Sequence, residues 1–215
     1  MSTIRIRDVK RPRTHAEIND FRRRGLMEGA IESMAINGVS GTTVQTICAY
    51  AGASRGLISH YFDSKEALMA EAFKHLFSGV AEEIRRQMDA SNDSSALARL
   101  RLLPRALFSK RVFTQMNRDA FLSFWHEVRF NDLVSRANKE LYVGYRGRVE
   151  DLFADAAKEN GVKIDARKAA IGFIGLSDGL WLGMSIHGQT TSPAQATDLC
   201  LMFIDAQLAS GGSKG

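Results

Sequence analysis

Three features of this chain predict an all-α protein. Apolar residues recur with a helical period along most of its length, Ser, Thr or Asp stands just before several of these stretches, and only three prolines interrupt 215 residues. Glu17 to about Asn37 reads as the first helix, with Phe21, Leu26, Ala30, Ile31 and Met34 on its apolar face. Gly38 stops it, because glycine reaches the left-handed conformation of a C-cap at no steric cost. Thr42 or Thr43 caps a second helix carrying Val44, Ile47, Cys48 and Ala51, and Gly52-Ala53 form a tight turn. Ser54 caps a short third helix, about Arg55 to Tyr61, and Asp63 or Ser64 caps a fourth that runs to about Met88. After a polar break at 90–95, helices are expected over 96–108, 112–129, 132–160, 165–187 and 193–209. Gly161 ends one of these, and Pro193 sits in the first turn of the last. The Gly/Ser-rich tail from Ser210 is expected to be disordered.

Two short helices around a small-residue turn, in Thr42 to Lys65, make a helix-turn-helix. The third helix carries small and hydrogen-bonding side chains, which a major-groove helix needs. Gly56 and the serines permit close approach, Arg55 can pair with guanine or phosphate, and Ser54, Ser59, His60 and Tyr61 can reach base edges or phosphate oxygens. Thr43 and Gln45, at the start of the second helix, and Lys65, at the start of the fourth, are placed for phosphate. Leu57, Ile58 and Phe62 are the side expected to lock onto the neighbouring helices.

Charge distribution supports this reading. Residues 1–24 hold eight Lys/Arg against three acids, a net +5, and the whole chain is also +5, so everything after Arg24 sums to zero. A localised excess is what phosphate contacts require. Cys48 and Cys200, far apart and each in an apolar pattern, suit buried reduced thiols rather than a disulfide framework. The N-terminus lacks the apolar core of a signal peptide, and no uninterrupted apolar run approaches the roughly 20 residues of a membrane span. A cytoplasmic protein without a membrane partner is expected. The five histidines show no H-E-x-x-H or H-x-x-x-H spacing and no G-x-S-x-G elbow is present. Neither an enzyme nor a bound metal or cofactor is therefore expected.

The stretch from Phe21 to about Ala72, with the Gly38 turn and TTVQTICAYAGASRGLISHYFDSKEAL, resembles the TetR family of bacterial transcriptional regulators. Many members carry tyrosine where Ser59 stands. The variant Ile58-Ser59-His60-Tyr61-Phe62, with Phe124-Trp125 and Asp178-Gly179-Leu180-Trp181-Leu182, looks like the family's choline-responsive repressors of glycine-betaine synthesis. The resemblance implies a homodimer on double-stranded operator DNA, built from the last two helices and released by a small-molecule effector. Its expected divisions are a flexible basic arm over 1–16, a DNA-binding head over 17–66, a helical effector-binding and dimerisation domain over 67–209, and the tail.

At 100° per residue, Gly172, Gly175, Gly179 and Gly183 fall on one face of the 165–187 helix. Each costs a helix roughly 0.8–1 kcal/mol relative to alanine, so four together suggest close approach of another helix. They become candidate dimer contacts with Leu199, Phe203 and Ala206; the alternative is a neighbour in the same subunit. The opposite face holds Ile174, Ser177, Asp178, Trp181 and Ser185. Phe121, Phe124, Trp125 and Val128 form a stripe on another helix. Taken alone that stripe reads as core; brought against Trp181 and Asp178 it makes a cage for a cation. Tyr142 and Glu127 are further candidates. Choline is the expected effector; another cationic or aromatic solute fits the same groups, and a ligand-independent architectural DNA-binding protein is the reading from another class.

Overall fold

Thr14 opens the first helix with a capping box: its Oγ1 accepts from the Glu17 N–H, while the Glu17 carboxylate accepts from the Thr14 N–H. From there the computed structural model describes residues 14–187 and 191–210. Residues 1–13 of the basic arm and 211–215 of the tail lie outside the described residues. Among the described residues the architecture is all-α: α1 (His15–Gly41), α2 (Val44–Ala51), α3 (Arg55–Tyr61), α4 (Lys65–Asp89), α5 (Ala96–Leu107), α6 (Gln115–Glu127), α7 (Asp132–Glu159), α8 (Ala166–His187) and α9 (Pro193–Ser210).

Local chemistry sets most boundaries. Gly38 breaks α1 with a φ of 66°, and Thr43 caps α2 by accepting from the Thr46 N–H. Gly52 takes the left-handed conformation between α2 and α3. Ser64 caps α4 through the Ala67 N–H, whereas Ser54 precedes α3 without a side-chain cap bond. The sixth helix begins later than its apolar pattern suggests. Thr114 accepts from the Asn117 N–H and starts it at Gln115, leaving the buried Phe108, Val112 and Phe113 in the preceding turn.

The first three helices form the head. Leu26, Ala30 and Met34 of α1 bury against Ile47 and Cys48 of α2, Ile58 of α3 and Phe62. Under this apolar layer, Ser33 bonds Thr42 and Thr46, and the Thr42 hydroxyl donates to the Gly38 carbonyl, so the buried hydroxyls of the α1–α2 turn are satisfied. Gly29 lets the two helices touch: a Cβ there would lie 2.8 Å from the Ala51 nitrogen and 2.9 Å from the Ile47 carbonyl oxygen.

The remaining helices form a bundle that is packed onto the head. α4 spans 25 residues, about 37 Å, and packs on α1 at one end and on α5 and α7 along its length. α6 also rests on α1, where Ser123 Oγ donates to the Met34 carbonyl at 2.9 Å. α8 lies against α6, α7 and α9. By length and composition α8 is the one helix among the described residues able to cross a membrane, against the expectation from uninterrupted apolar runs; here it packs within the bundle. Cys48 and Cys200 are both free and buried.

Because the atoms nearest the missing Gly29 side chain are the Ala51 Cβ and α2 backbone, none of which moves without its helix, the helices must separate to admit one. Gly29→Ala is expected to destabilise the protein by about 1–3 kcal/mol. Urea unfolding should show a lower midpoint with an unchanged slope.

Candidate functional site

The head presents one polar face. Thr43, Gln45, Ser54, Arg55, Gly56, Ser59 and His60 are exposed, and Tyr61 and Lys65 are half-buried. Arg55 lies against Gln45, its Nη2 at 3.5 Å from the amide oxygen, which draws the starts of α2 and α3 into one patch. The Tyr61 hydroxyl is already engaged, donating to Asn19 Oδ1 of α1 at 2.9 Å, and the His60 ring meets the Tyr61 ring edge-on at 4.8 Å. Not all of the basic excess faces outward. Arg23 pairs with Glu71 of α4 at 2.7 Å and stacks over the Phe62 ring, tying α1 to the start of the bundle.

Between α4, α5, α6, α7 and α8 lies a cavity of 690 Å³. Its floor is aromatic: Phe121 and Trp125 from α6, Tyr142 and Tyr145 from α7, Trp181 from α8 and Phe77 from α4. Phe121 lies 5.8 Å edge-on from Trp181 and 6.3 Å from Trp125, and Phe77 lies 5.8 Å from Tyr142. Asp178 enters this floor from α8, its Oδ2 accepting from the Tyr142 hydroxyl at 3.1 Å. The walls above are aliphatic, and the rim carries exposed Arg85, Arg99 and Arg148 with Glu82, Asp151 and Asp155.

Electrostatics single out Asp178. Burial pushes its carboxyl up to about 6, and the Tyr142 hydrogen bond only partly opposes this. Holding it ionised at neutral pH therefore costs on the order of 3 kcal/mol. Tyr142 and Tyr145 are both raised well above the usual tyrosine range, first by burial and then by the nearby Asp178 charge. The Trp181 Nε1–H and the Tyr145 hydroxyl are buried without a hydrogen-bond partner among the described residues. Such a floor can receive a cation on its carboxylate and ring faces.

Some expected cage members lie elsewhere. Phe124 is fully buried in the core, 5.2 Å from Phe73, because the α6 stripe is wider than the cavity and this member turns toward α4. Ser177 is buried, with its hydroxyl donating to the Ile174 carbonyl of its own helix. Glu127 caps no part of the cavity; it accepts from Asn131 in the α6–α7 turn. Sequence reading did not reach Phe77 and Tyr145 on the floor, or Phe108 and Phe113, whose rings back Trp181 at 6.3 and 4.7 Å. Phe77 continues the apolar face of α4, and no pattern within one helix distinguishes floor from core.

The glycine face divides in two. A Cβ on Gly172 would meet the Phe203 ring at 2.7 Å, so these two residues pack together within one chain through α8 and α9. Side chains at Gly175, Gly179 and Gly183 would meet nothing within 4 Å. Ile171, Gly175, Gly179, Leu182 and Ile186 follow one another at helical spacing along an uncovered stripe of α8. Leu199 and Met202 of α9, the latter 67% exposed, extend it.

The family model described as bacterial regulatory proteins of the TetR family matches residues 26–72, and that of the BetI-type transcriptional repressor C-terminal domain matches residues 96–209. The HTH-type transcriptional regulator BetI of Pseudomonas paraeruginosa is 30% identical, over 88% of this chain and 94% of its own. That of Serratia proteamaculans is 28% identical, over 87% and 93%. A crystal structure of a transcriptional regulator from Pseudomonas aeruginosa PAO1 superposes with a TM-score of 0.79 at 32% identity, covering 88% of this chain and 91% of its own. A regulator from Saccharomonospora viridis solved in complex with choline shares the fold with a TM-score of 0.72 at 21% identity, covering 85% and 95%.

Among the described residues, the Tyr142 hydrogen bond is the one interaction that lowers the Asp178 carboxyl toward its ordinary range. Tyr142→Phe is therefore expected to move the titration of Asp178 above its wild-type position near pH 6. The pH dependence of tryptophan fluorescence, with Trp125 and Trp181 as reporters, measures that shift; an unmoved titration would detach the hydrogen bond from the carboxyl.

Proposed function

The chain belongs to the TetR family of bacterial regulatory proteins, and we propose that within it this protein is a homodimeric repressor released from operator DNA by a small quaternary ammonium, choline in the first place. The observation that carries this reading is a buried carboxylate, Asp178, in an aromatic floor where, among the described residues, no basic side chain pairs with it. A permanent cation offsets the cost of ionising Asp178, and the ring faces of Trp125, Trp181 and Tyr142 attract it further. The match to the BetI-type repressor domain over 96–209 supports the same choice.

DNA is read by the exposed face of α3, with Arg55 and Ser59 toward bases and Thr43, Gln45 and Lys65 toward phosphate. Two copies place their α3 helices about one turn of DNA, roughly 34–36 Å, or a multiple apart. The dimer forms across the uncovered stripe of α8 and α9, where the glycines admit a partner helix closely.

Release requires that the ligand bind the DNA-incompetent form more tightly. Phe121 and Trp125 line the cavity from α6, and α6 sits on α1 through Ser123 and Met34. A ligand that displaces those rings moves α6 against the head. The long α4, with Phe77 on the floor and its first turn beside α3, gives a second route.

Choline should dissociate the complex with a duplex selected from a random pool, and should quench or shift tryptophan fluorescence. Because the ligand binds the ionised carboxylate, affinity is present above pH 6 and falls as pH drops through the Asp178 titration, approaching ten-fold per pH unit below it. Asp178→Asn should weaken choline strongly, abolish this pH dependence and leave DNA binding intact. Saturating choline that neither releases DNA nor perturbs fluorescence would rule choline out.

Gly179→Leu overpacks the proposed two-fold contact and is expected to shift the protein toward monomer in sedimentation velocity at micromolar concentration. In the isolated chain the added side chain meets only open space, so thermal unfolding of the subunit should change little. A fully dimeric Gly179→Leu protein would place the interface elsewhere.

A further inference from the structure

The cavity is much larger than the cation its floor suits. A seven-heavy-atom ligand, at roughly 20–30 Å³ per heavy atom, fills about 200 Å³, against 690 Å³ available. The excess has a direction. On α4 the lining runs from Phe77 at the floor to Met88, eleven residues and roughly 16 Å along the axis. Between those ends it presents Val80, Ala81 and Ile84; α7 contributes Val149 and Leu152 beyond its two floor tyrosines, and α5 contributes Leu103. The space above the carboxylate is thus an aliphatic sleeve, whose exposed edge carries Arg85, Arg99 and Arg148 together with Glu82, Asp151 and Asp155.

From this shape we infer that the preferred ligand is an amphiphile: a quaternary ammonium head on Asp178 bearing an alkyl or acyl chain that lies along the sleeve. The inference rests on the cation reading of the floor and extends it from a head group to a class of molecule. A choline-sized head occupies roughly 6 Å, which leaves about 10 Å of sleeve. At roughly 1.25 Å per methylene of extended chain, that length holds about six to eight carbons. A shorter chain leaves apolar wall in contact with water, and a longer one passes Met88, the last apolar residue of the α4 lining, into solvent and gains nothing more.

The test is a homologous series of alkyltrimethylammonium ions, from tetramethylammonium to a ten-carbon chain, below micellar concentrations. Affinity is read by tryptophan fluorescence, and release by dissociation of the labelled operator complex. Each added methylene should tighten binding roughly two- to four-fold up to about eight carbons and then stop. Asp178→Asn should weaken every member by a similar factor; long members insensitive to this change would overturn the orientation proposed. Ala81→Phe, a change on the partly exposed wall, should remove the gain with length while keeping tetramethylammonium affinity. In the wild type alone, a bound tetramethylammonium with no gain along the series would overturn the sleeve and leave the cation site standing. Failure of every member to bind would overturn both. An equal gain with length in Ala81→Phe would assign it to general surface adsorption and overturn the sleeve.

Discussion

Phe73 is the residue on which the joining of head and bundle depends. It is fully buried on α4, one turn before Phe77, and its ring meets Phe121 and Phe124 of α6 at 6.3 and 5.2 Å. Aromatic packing of this kind contributes by area and by ring geometry, and it tolerates little displacement at the density of a protein interior. α4 and α6 are thereby fixed to each other just where both rest on α1. The head is not a bead on a flexible tether; its first helix forms one wall of the junction that the sensing helices share. Phe121 belongs to both structures at once, since its other neighbours, Trp125 and Trp181, are cavity residues.

Against that packed background the Asp178 carboxyl is an unstable element. A buried carboxylate whose only hydrogen-bond donor among the described residues is a tyrosine hydroxyl is poorly compensated, which is why burial dominates its titration. A structural role would be served better by an asparagine or an apolar side chain at the same place. The Trp181 N–H and the Tyr145 hydroxyl, on residues that also line the cavity, are buried without a hydrogen-bond partner among the described residues. Polar cost concentrated at one end of a large apolar cavity is the arrangement of a binding site, where the ligand supplies what the protein withholds.

The helices and the reading head were legible because their signals are local. Thr43, Gly52 and Ser64 act through neighbours a few residues away, so their types announce the boundaries directly. The cavity was legible only in part. Asp178 and Trp181 drew attention because a carboxylate beside an indole is unusual on an inward helix face, and Tyr142 and Trp125 joined them in space. Phe124 and Phe121 carry the same sequence signal, yet one faces Phe73 alone and the other also faces Trp181. The difference is a rotation of α6 fixed by its contact with α1, nearly ninety residues away in sequence, through Ser123 and Met34. No periodicity within α6 contains that information. Gly172 separated from Gly175 and Gly179 for a similar reason, since only the placement of Phe203 distinguishes them.

α8 combines these threads. Its inward face carries Asp178 and Trp181 into the cavity, and its outward stripe of Gly175, Gly179, Leu182 and Ile186 is uncovered in the single chain. An apolar stripe of this length needs a covering surface, and a second copy offers its own stripe about a two-fold axis. On that reading the effector and the partner subunit contact adjoining faces of one helix, since at 100° per residue Gly175 and Leu182 lie about 40–60° from Asp178. The backs of Gly175 and Gly179 and the carboxylate of Asp178 then lie within a single helix diameter, about 10 Å. A helix held between partner and cavity cannot move freely to accommodate a ligand. Displacement on ligand entry falls instead on the opposite walls, α4 and α6, the two helices that Phe73 fastens together and that α1 supports. On the same reading, a dimer face along α8 directs the response of the cavity toward the DNA-reading head.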